Sequence, residues 1–158
     1  LHATNVVQAL ERIVYMFPSD NKNRLLMDLS LNMRCIIAQR LIPGIDNDKV
    51  HLAAEILVNT PYVAELIRKG KLSELREVIE KGSADGMQTF DQSLIKLHRE
   101  NKISRHRALE FASSRNNMEW QLNFGVKVET DKEKSRASLK DLNADLDILE
   151  SLLTDGED

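Results

Sequence analysis

Val6, Val7, Leu10, Ile13, Val14 and Phe17 recur at steps of three and four residues, the spacing that gathers side chains on one face of a helix. Pro18 has no N–H to extend that ladder and predicts its end. Ser19, Asp20 and Asn21 carry side-chain oxygens suited to capping a second helix, with Leu25, Leu26, Leu29 and Met33 on its apolar face. The period changes after Met33. CIIAQRLI (35–42) and VHLAAEILV (50–58) are short, rich in branched side chains and separated by the polar turn PGIDNDK, which predicts two strands joined by a loop.

Helical spacing returns at Thr60. Thr60 followed by Pro61 supplies a cap and a first-turn proline, and Gly70 predicts a left-handed closure. LSELREVIEK (72–81) predicts the next helix, stopped at Gly82. Thr89 and Gln92 form a capping box for a helix whose stripe is Phe90, Leu94 and Leu97. Ser104 caps RHRALEFA, and NMEWQLNF (117–124) predicts a last short helix anchored by Trp120. The fold expected is α+β and mostly α, a helical bundle behind a small sheet. Beyond a charged linker, Leu139, Leu142, Leu146, Leu149 and Leu153 lie at alternating steps of three and four, with Ser138 and Asp141 as a capping box. This amphipathic tail helix suits a groove or a partner helix, with folding back on its own domain or fraying in solution as the alternative.

At 158 residues, 42% hydrophobic and 30% charged, the chain has the composition of one ordinary globular domain with an appendage. No apolar run approaches the ~20 residues needed to cross a bilayer, and LHATN lacks the features of a signal peptide, so a cytoplasmic protein is expected. LHATN also stands directly against a periodic helix without an initiator Met, which predicts a chain that starts inside a longer one. Cys35 is alone, cannot form an internal disulfide, and reads as a small core side chain. Residues 1–125 carry 17 basic against 15 acidic groups and residues 126–158 carry 5 against 10, which marks the tail as a separate, acidic region. Basic groups are not clustered and aromatics are 4% of the chain, so a nucleic-acid surface is not expected.

A phosphate-binding loop needs N–H groups freed by glycines and a Lys, in the pattern GxxxxGK followed by Ser or Thr. None of the six glycines belongs to such a stretch. GSADGMQT (82–89) leads into a helix start, but its spacing is wrong and it has no Lys, so it reads as a linker. His2, His51, His98 and His106 have no metal-ligand spacing, so no metal site is expected. Nucleophile elbows and dinucleotide fingerprints are also missing. Residue mechanics therefore reach a fold class and stop short of an activity.

Three stretches carry a resemblance: LLMDLSLNMRCIIAQRL, EILVNTPYVAELIRKGK and GMQTFDQSLIKLHRENKIS. In this order and at this spacing they resemble the C-terminal half of type IV pilus retraction ATPases of the PilT/PilU family, over about residues 1–124. The Phe90–Asp91–Gln92 series and the acidic extension after Gly125 lean toward the PilU type. LHATN resembles the family's His box, which follows its phosphate loop, acidic box and Walker B strand. The resemblance implies a place for His2 near the γ-phosphate; taken without it, His2 reads as a packing or capping residue. YVAELIRK (62–69) resembles the retraction motif AIRNLIRE. Leu66, Ile67 and Arg68 match it, whereas Ala64, Glu65 and Lys69 replace its first Arg, its Asn and its final Glu.

The resemblance implies residues 1–59 as the C-terminal part of a RecA-like P-loop ATPase core, 60–125 as a helical C-terminal domain and 126–158 as linker and tail. It implies a hexameric ring that uses ATP and Mg2+ to withdraw pilins, peripheral at the inner membrane through the platform protein and beside a PilT-type ATPase. This chain alone, without Walker A and Walker B motifs, is expected to bind no nucleotide and to be inactive. Arg34, Arg40 and Arg68 are candidate subunit-interface groups, with solvated or structural roles as the alternative. A second reading from a different class is a non-hydrolytic module that docks on a full-length motor through the acidic helix and modulates it.

Overall fold

The computed structural model describes residues 3–46 and 48–125. The expectations for His2 and for the acidic tail after Gly125 lie outside the described residues. Helix α1 (Val6–Tyr15) starts on Asn5, whose side chain accepts the Gln8 N–H at 2.8 Å. Its apolar face buries Val6 and Leu10 completely. The chain then winds a 3-10 turn over Ser19–Asn21 before α2 (Lys22–Asn32). Ser19, Asp20 and Asn21 were expected to cap α2 with their side chains, but none does. The turn's own carbonyls take the first N–H groups, Pro18 O from Asn21 and Ser19 O from Lys22.

Strands β1 (Cys35–Pro43) and β2 (Val50–Val58) pair antiparallel, with Ile37 opposite Ile56 and Leu41 opposite Leu52. Asn59 donates to Arg34 O at 2.9 Å and Gly44 to Lys49 O at 2.8 Å, so the even-numbered residues of β1 bond to β2. The N–H and C=O groups of Cys35, Ile37, Gln39 and Leu41 therefore point to the outer edge of β1. Among the described residues no strand pairs with that edge. Alternation sends Ile42, Ala53 and Leu57 into the core and leaves Ile37, Leu41, Val50 and Leu52 on the opposite, open face, Leu41 at 65% exposure. Cys35, expected in the core, is exposed because it falls in the outward phase of β1.

The helices cover the other face. Helix α3 (Pro61–Arg68) follows β2, and a 3-10 turn (Leu72–Glu74) leads into α4 (Leu75–Lys81), so the helix expected from Leu72 begins three residues later. Helix α5 (Phe90–Arg99) carries the expected capping box on both sides: the Thr89 hydroxyl accepts the Gln92 N–H at 3.2 Å, and Gln92 Oε1 accepts the Thr89 N–H at 2.8 Å. Helix α6 (Arg105–Phe111) is capped by Ser104, and α7 spans Arg115–Phe124. Met118, not Trp120, anchors α7: Met118 is fully buried and Trp120 is 60% exposed, because residues two apart on a helix lie on roughly opposite sides and the Met118 side faces the core.

Two apolar cores result. One joins Val6 and Leu10 of α1, Leu26 of α2 and Leu57 of β2 to Val63, Leu66 and Ile67 of α3 and to Leu75 and Ile79 of α4. The other joins Ile42 and Ala53 of the hairpin to Phe90 and Leu94 of α5, Ile103, Ala108 of α6 and Met118. Both draw residues from either side of position 59. The 82–89 linker is built into the sheet: Ile56 donates to Gln88 O at 2.8 Å, Gln88 donates back at 3.2 Å, and the Gln88 amide reaches Ala54 O at 2.9 Å. Residues 1–123 form one compact unit; of a second unit, 124–158, only Phe124 and Gly125 are described.

Candidate functional site

Helix α3 is held at both ends. Thr60 Oγ1 accepts the Val63 N–H at 3.3 Å, and Pro61 occupies the first helical position, where no N–H is needed. At the other end Gly70 adopts φ +69°, which lets its own N–H reach Ile67 O and the Lys71 N–H reach Leu66 O, both at 2.9 Å. That pair of reversed bonds satisfies carbonyls the helix cannot use itself. Within the helix Leu66 and Ile67 belong to the core, whereas Arg68 is exposed.

Glu65 supplies the partner for Arg68. Its carboxylate accepts from Arg68 Nε at 2.9 Å and from Arg68 Nη2 at 2.7 Å, and Lys69 Nζ lies 2.9 Å from its other oxygen. The Arg68 N–H groups first, and Lys69 second, hold the Glu65 carboxyl below its ordinary value. The three residues make a closed surface network on one turn of helix.

A second cluster lies at the middle of the hairpin, on its packed face. Glu55 of β2 is 9% exposed, and its two oxygens accept from the first residues of two helices, Val6 of α1 at 2.8 Å and Phe90 of α5 at 3.4 Å. A carboxylate there offsets the partial positive charge of both helix starts. On the neighbouring strand Arg40 donates to Thr4 O and, at 3.3 Å, to Phe111 O in the last turn of α6, and its guanidinium stands 4.3 Å from the Phe90 ring centroid. Asp91, also 9% exposed, accepts the Ser113 N–H at 2.8 Å. Asn59 ties the end of α2 to the hairpin through Ser30 O and Met33 O at 3.0 and 2.8 Å.

Of the residues singled out from sequence, Leu66, Ile67 and Arg68 thus share α3, divided between core and surface. The Arg34 side chain is exposed near the start of β1. Arg40 is engaged within the fold. The three arginines share no hydrogen bond or ion pair among the described residues. Glu55 and Asn59 were not singled out, and Asp91 only as part of the Phe90–Asp91–Gln92 series. The available signal was Glu55 itself, a charge on the same inward phase as Ala53 and Leu57 in a strand whose other residues, His51 apart, are apolar.

No family model matches the chain. Over 131 residues it is 42% identical to the type IV pilus ATPase PilU of Pseudomonas aeruginosa, covering 83% of this chain and 34% of that protein. Over 112 residues it is 36% identical to the type IV pilus retraction ATPase PilT of the same organism, covering 71% of this chain and 32% of the relative. Its fold superposes on a crystal structure of the pilus retraction motor PilT with bound ADP at a TM-score of 0.65 and 29% identity, covering 75% of this chain and 33% of that one. Over most of its length the chain is similar to the PilT/PilU type IV pilus ATPases. It spans about a third of the length of the relatives it matches.

The PilT/PilU similarity raises the question of nucleotide, and two of the described helix starts are already taken. The helix starts of α1 and α5, the natural seats for phosphate, are occupied by the Glu55 carboxylate, which repels an anion. The linker that precedes α5 is spent on the Gln88 bridge to β2. Among the described residues no helix is long and apolar enough to cross a membrane.

Proposed function

We propose that this chain is the C-terminal part of a hexameric ATPase motor that powers type IV pilus retraction. In this reading residues 1–59 complete a RecA-like nucleotide-binding core, 60–125 form a helical C-terminal domain and 126–158 an acidic tail. ATP and Mg2+ are held by residues upstream of this stretch, with His2 near the γ-phosphate. The motor works beside a PilT-type ATPase on the inner-membrane platform protein, from the cytoplasmic side. The α3 network of Glu65, Arg68 and Lys69 takes the place of the family's retraction-motif polar groups, which suits a motor that assists a principal one.

The observation that carries the reading is the open hairpin. A strand edge unpaired among the described residues, beside Ile37, Leu41, Val50 and Leu52, is what a larger sheet and its covering layer leave when only one part of them is present. The test is the intact mass of the natural protein with peptide mapping upstream of Leu1, followed by ATP turnover of the natural product and of the 158-residue chain. A longer, ATP-hydrolysing product and an inert 158-residue chain are expected. A natural chain beginning at Leu1, or turnover by these residues alone, overturns the proposal.

A further inference from the structure

The Arg40 and Glu55 cluster joins three parts of the molecule that are far apart in sequence. Glu55 accepts from Val6 and Phe90, and Arg40 donates to Thr4 O and Phe111 O. The segment Thr4–Val6 is thereby gripped from both of its backbone polarities: its carbonyl by a cation and its N–H by an anion. The same two side chains grip the start of α5 and the end of α6. Three of the contacts match the helix dipoles, since the carboxylate faces two helix N-termini and the guanidinium faces the C-terminus of α6; the fourth sets the guanidinium on the Thr4 carbonyl ahead of α1.

We propose that Glu55 and Arg40 are positioning residues that make the Thr4–Val6 segment and the α5–α6 pair move as one body. Resting on the motor reading above, this gives them a catalytic consequence: Thr4 lies two residues after His2 in sequence, so the clamp couples the segment bearing the His box to the helical domain. Neither residue belongs to the phosphate loop, the His box or the retraction motif. The physical ground is reach. Glu55 has two oxygens and spends one on each helix, and a Gln in its place keeps a single acceptor and turns an N–H toward the other helix start. Arg40 is a fork that can serve two carbonyls while stacking on Phe90; a Lys keeps the charge and loses the fork.

The experiment has two readouts. In the 158-residue chain, backbone amide exchange is followed at Val6 and Phe90 in wild type, Glu55→Gln and Arg40→Lys. In the longer natural protein, kcat and KM for ATP are measured for the same variants, with thermal unfolding as the control for global damage. We expect Glu55→Gln to speed exchange at Val6 and Phe90 together by about tenfold or more, the order a lost charge-assisted bond implies, because in one body the helix start that keeps an acceptor loosens with the start that loses it. Arg40→Lys should move the same two amides by less. Both variants should lower kcat several-fold with KM nearly unchanged. A change confined to one helix start, or none, overturns the coupling. Joint exchange changes with an unaltered kcat overturn the positioning role. A longer wild-type protein with no ATP turnover sinks the motor reading and the positioning role with it, while the joint response of Val6 and Phe90 would still establish the clamp. If Glu55→Gln does not fold, Arg40→Lys alone decides by the same criteria.

Discussion

Ile67 and Arg68 are adjacent in α3 and have opposite energetic standing. Ile67 is fully buried in the first core, so Ile67→Ala removes its burial and leaves a cavity, at a cost of about 2–5 kcal/mol. Arg68→Ala deletes an exposed pair and should cost well under that. Denaturant titration of the two variants separates them, and equal losses would refute the assignment. Glu65 adds a pH dependence. Its carboxyl is held below the ordinary glutamate value in the folded chain, so its contribution is present above the unfolded value of about 4.3 and fades as pH falls through the lower folded one. Comparing the melting temperature of wild type and Glu65→Gln from pH 7 down to 3 should show a gap that closes at the acid end; a gap independent of pH contradicts it. Gly82 offers a third case. A Cβ there would stand 2.8 Å from Val78 O and 2.9 Å from Met87 Sδ, so Gly82→Ala forces the linker away from α4 and should cost about 1–3 kcal/mol.

The hairpin is the element with the most unfinished chemistry. Its outer β1 edge carries no charge at the outward positions Cys35, Ile37, Gln39 and Leu41, and its open face is apolar, the combination that natural edge strands avoid. The 158-residue chain is therefore expected to self-associate at high concentration despite its net charge of −3. Leu41→Lys, placed on the open face, should reduce that association while leaving the core untouched. Sedimentation of both proteins checks this, and a wild-type monomer at high concentration would count against it. Helix α5 is the contrasting case, with its start settled locally by Thr89 and Gln92. Removing the hydroxyl in Thr89→Ala should cost about 1 kcal/mol without changing association.

Across the whole molecule, the cores and the polar clamp converge on one face of the hairpin. The first core seats α3, with its motif-like stretch, against α1, α2 and β2, and the second seats α5, α6 and Met118 on the hairpin's centre. Arg40 and Glu55 lie on the packed face and bind the start of α1, the start of α5 and the end of α6. Helix α3 is therefore held by apolar packing, while the Thr4–Val6 segment is tied to α5 and α6 through hydrogen bonds, two routes of attachment. The two routes differ in what breaks them, truncation for the first and loss of a specific polar partner for the second.

Local chemistry in the chain was enough for both strands, the capping box at Thr89, and the proline start and glycine end of α3. Each of these depends on residues within a few positions of one another, so the backbone has little choice. The same local reading misplaced Cys35, the Trp120 anchor and the caps of α2. The reason is that inside or outside is settled by what lies across the sheet or helix face, and a carbonyl one turn away can satisfy an N–H before a side chain does. Glu55 shows the limit most clearly. Its two partners are 49 and 35 residues distant, so nothing near it in the chain could announce that one carboxylate holds two helices. The charge on an inward strand position could be seen in the chain; its purpose arose from folding, which set that position against two positive helix ends.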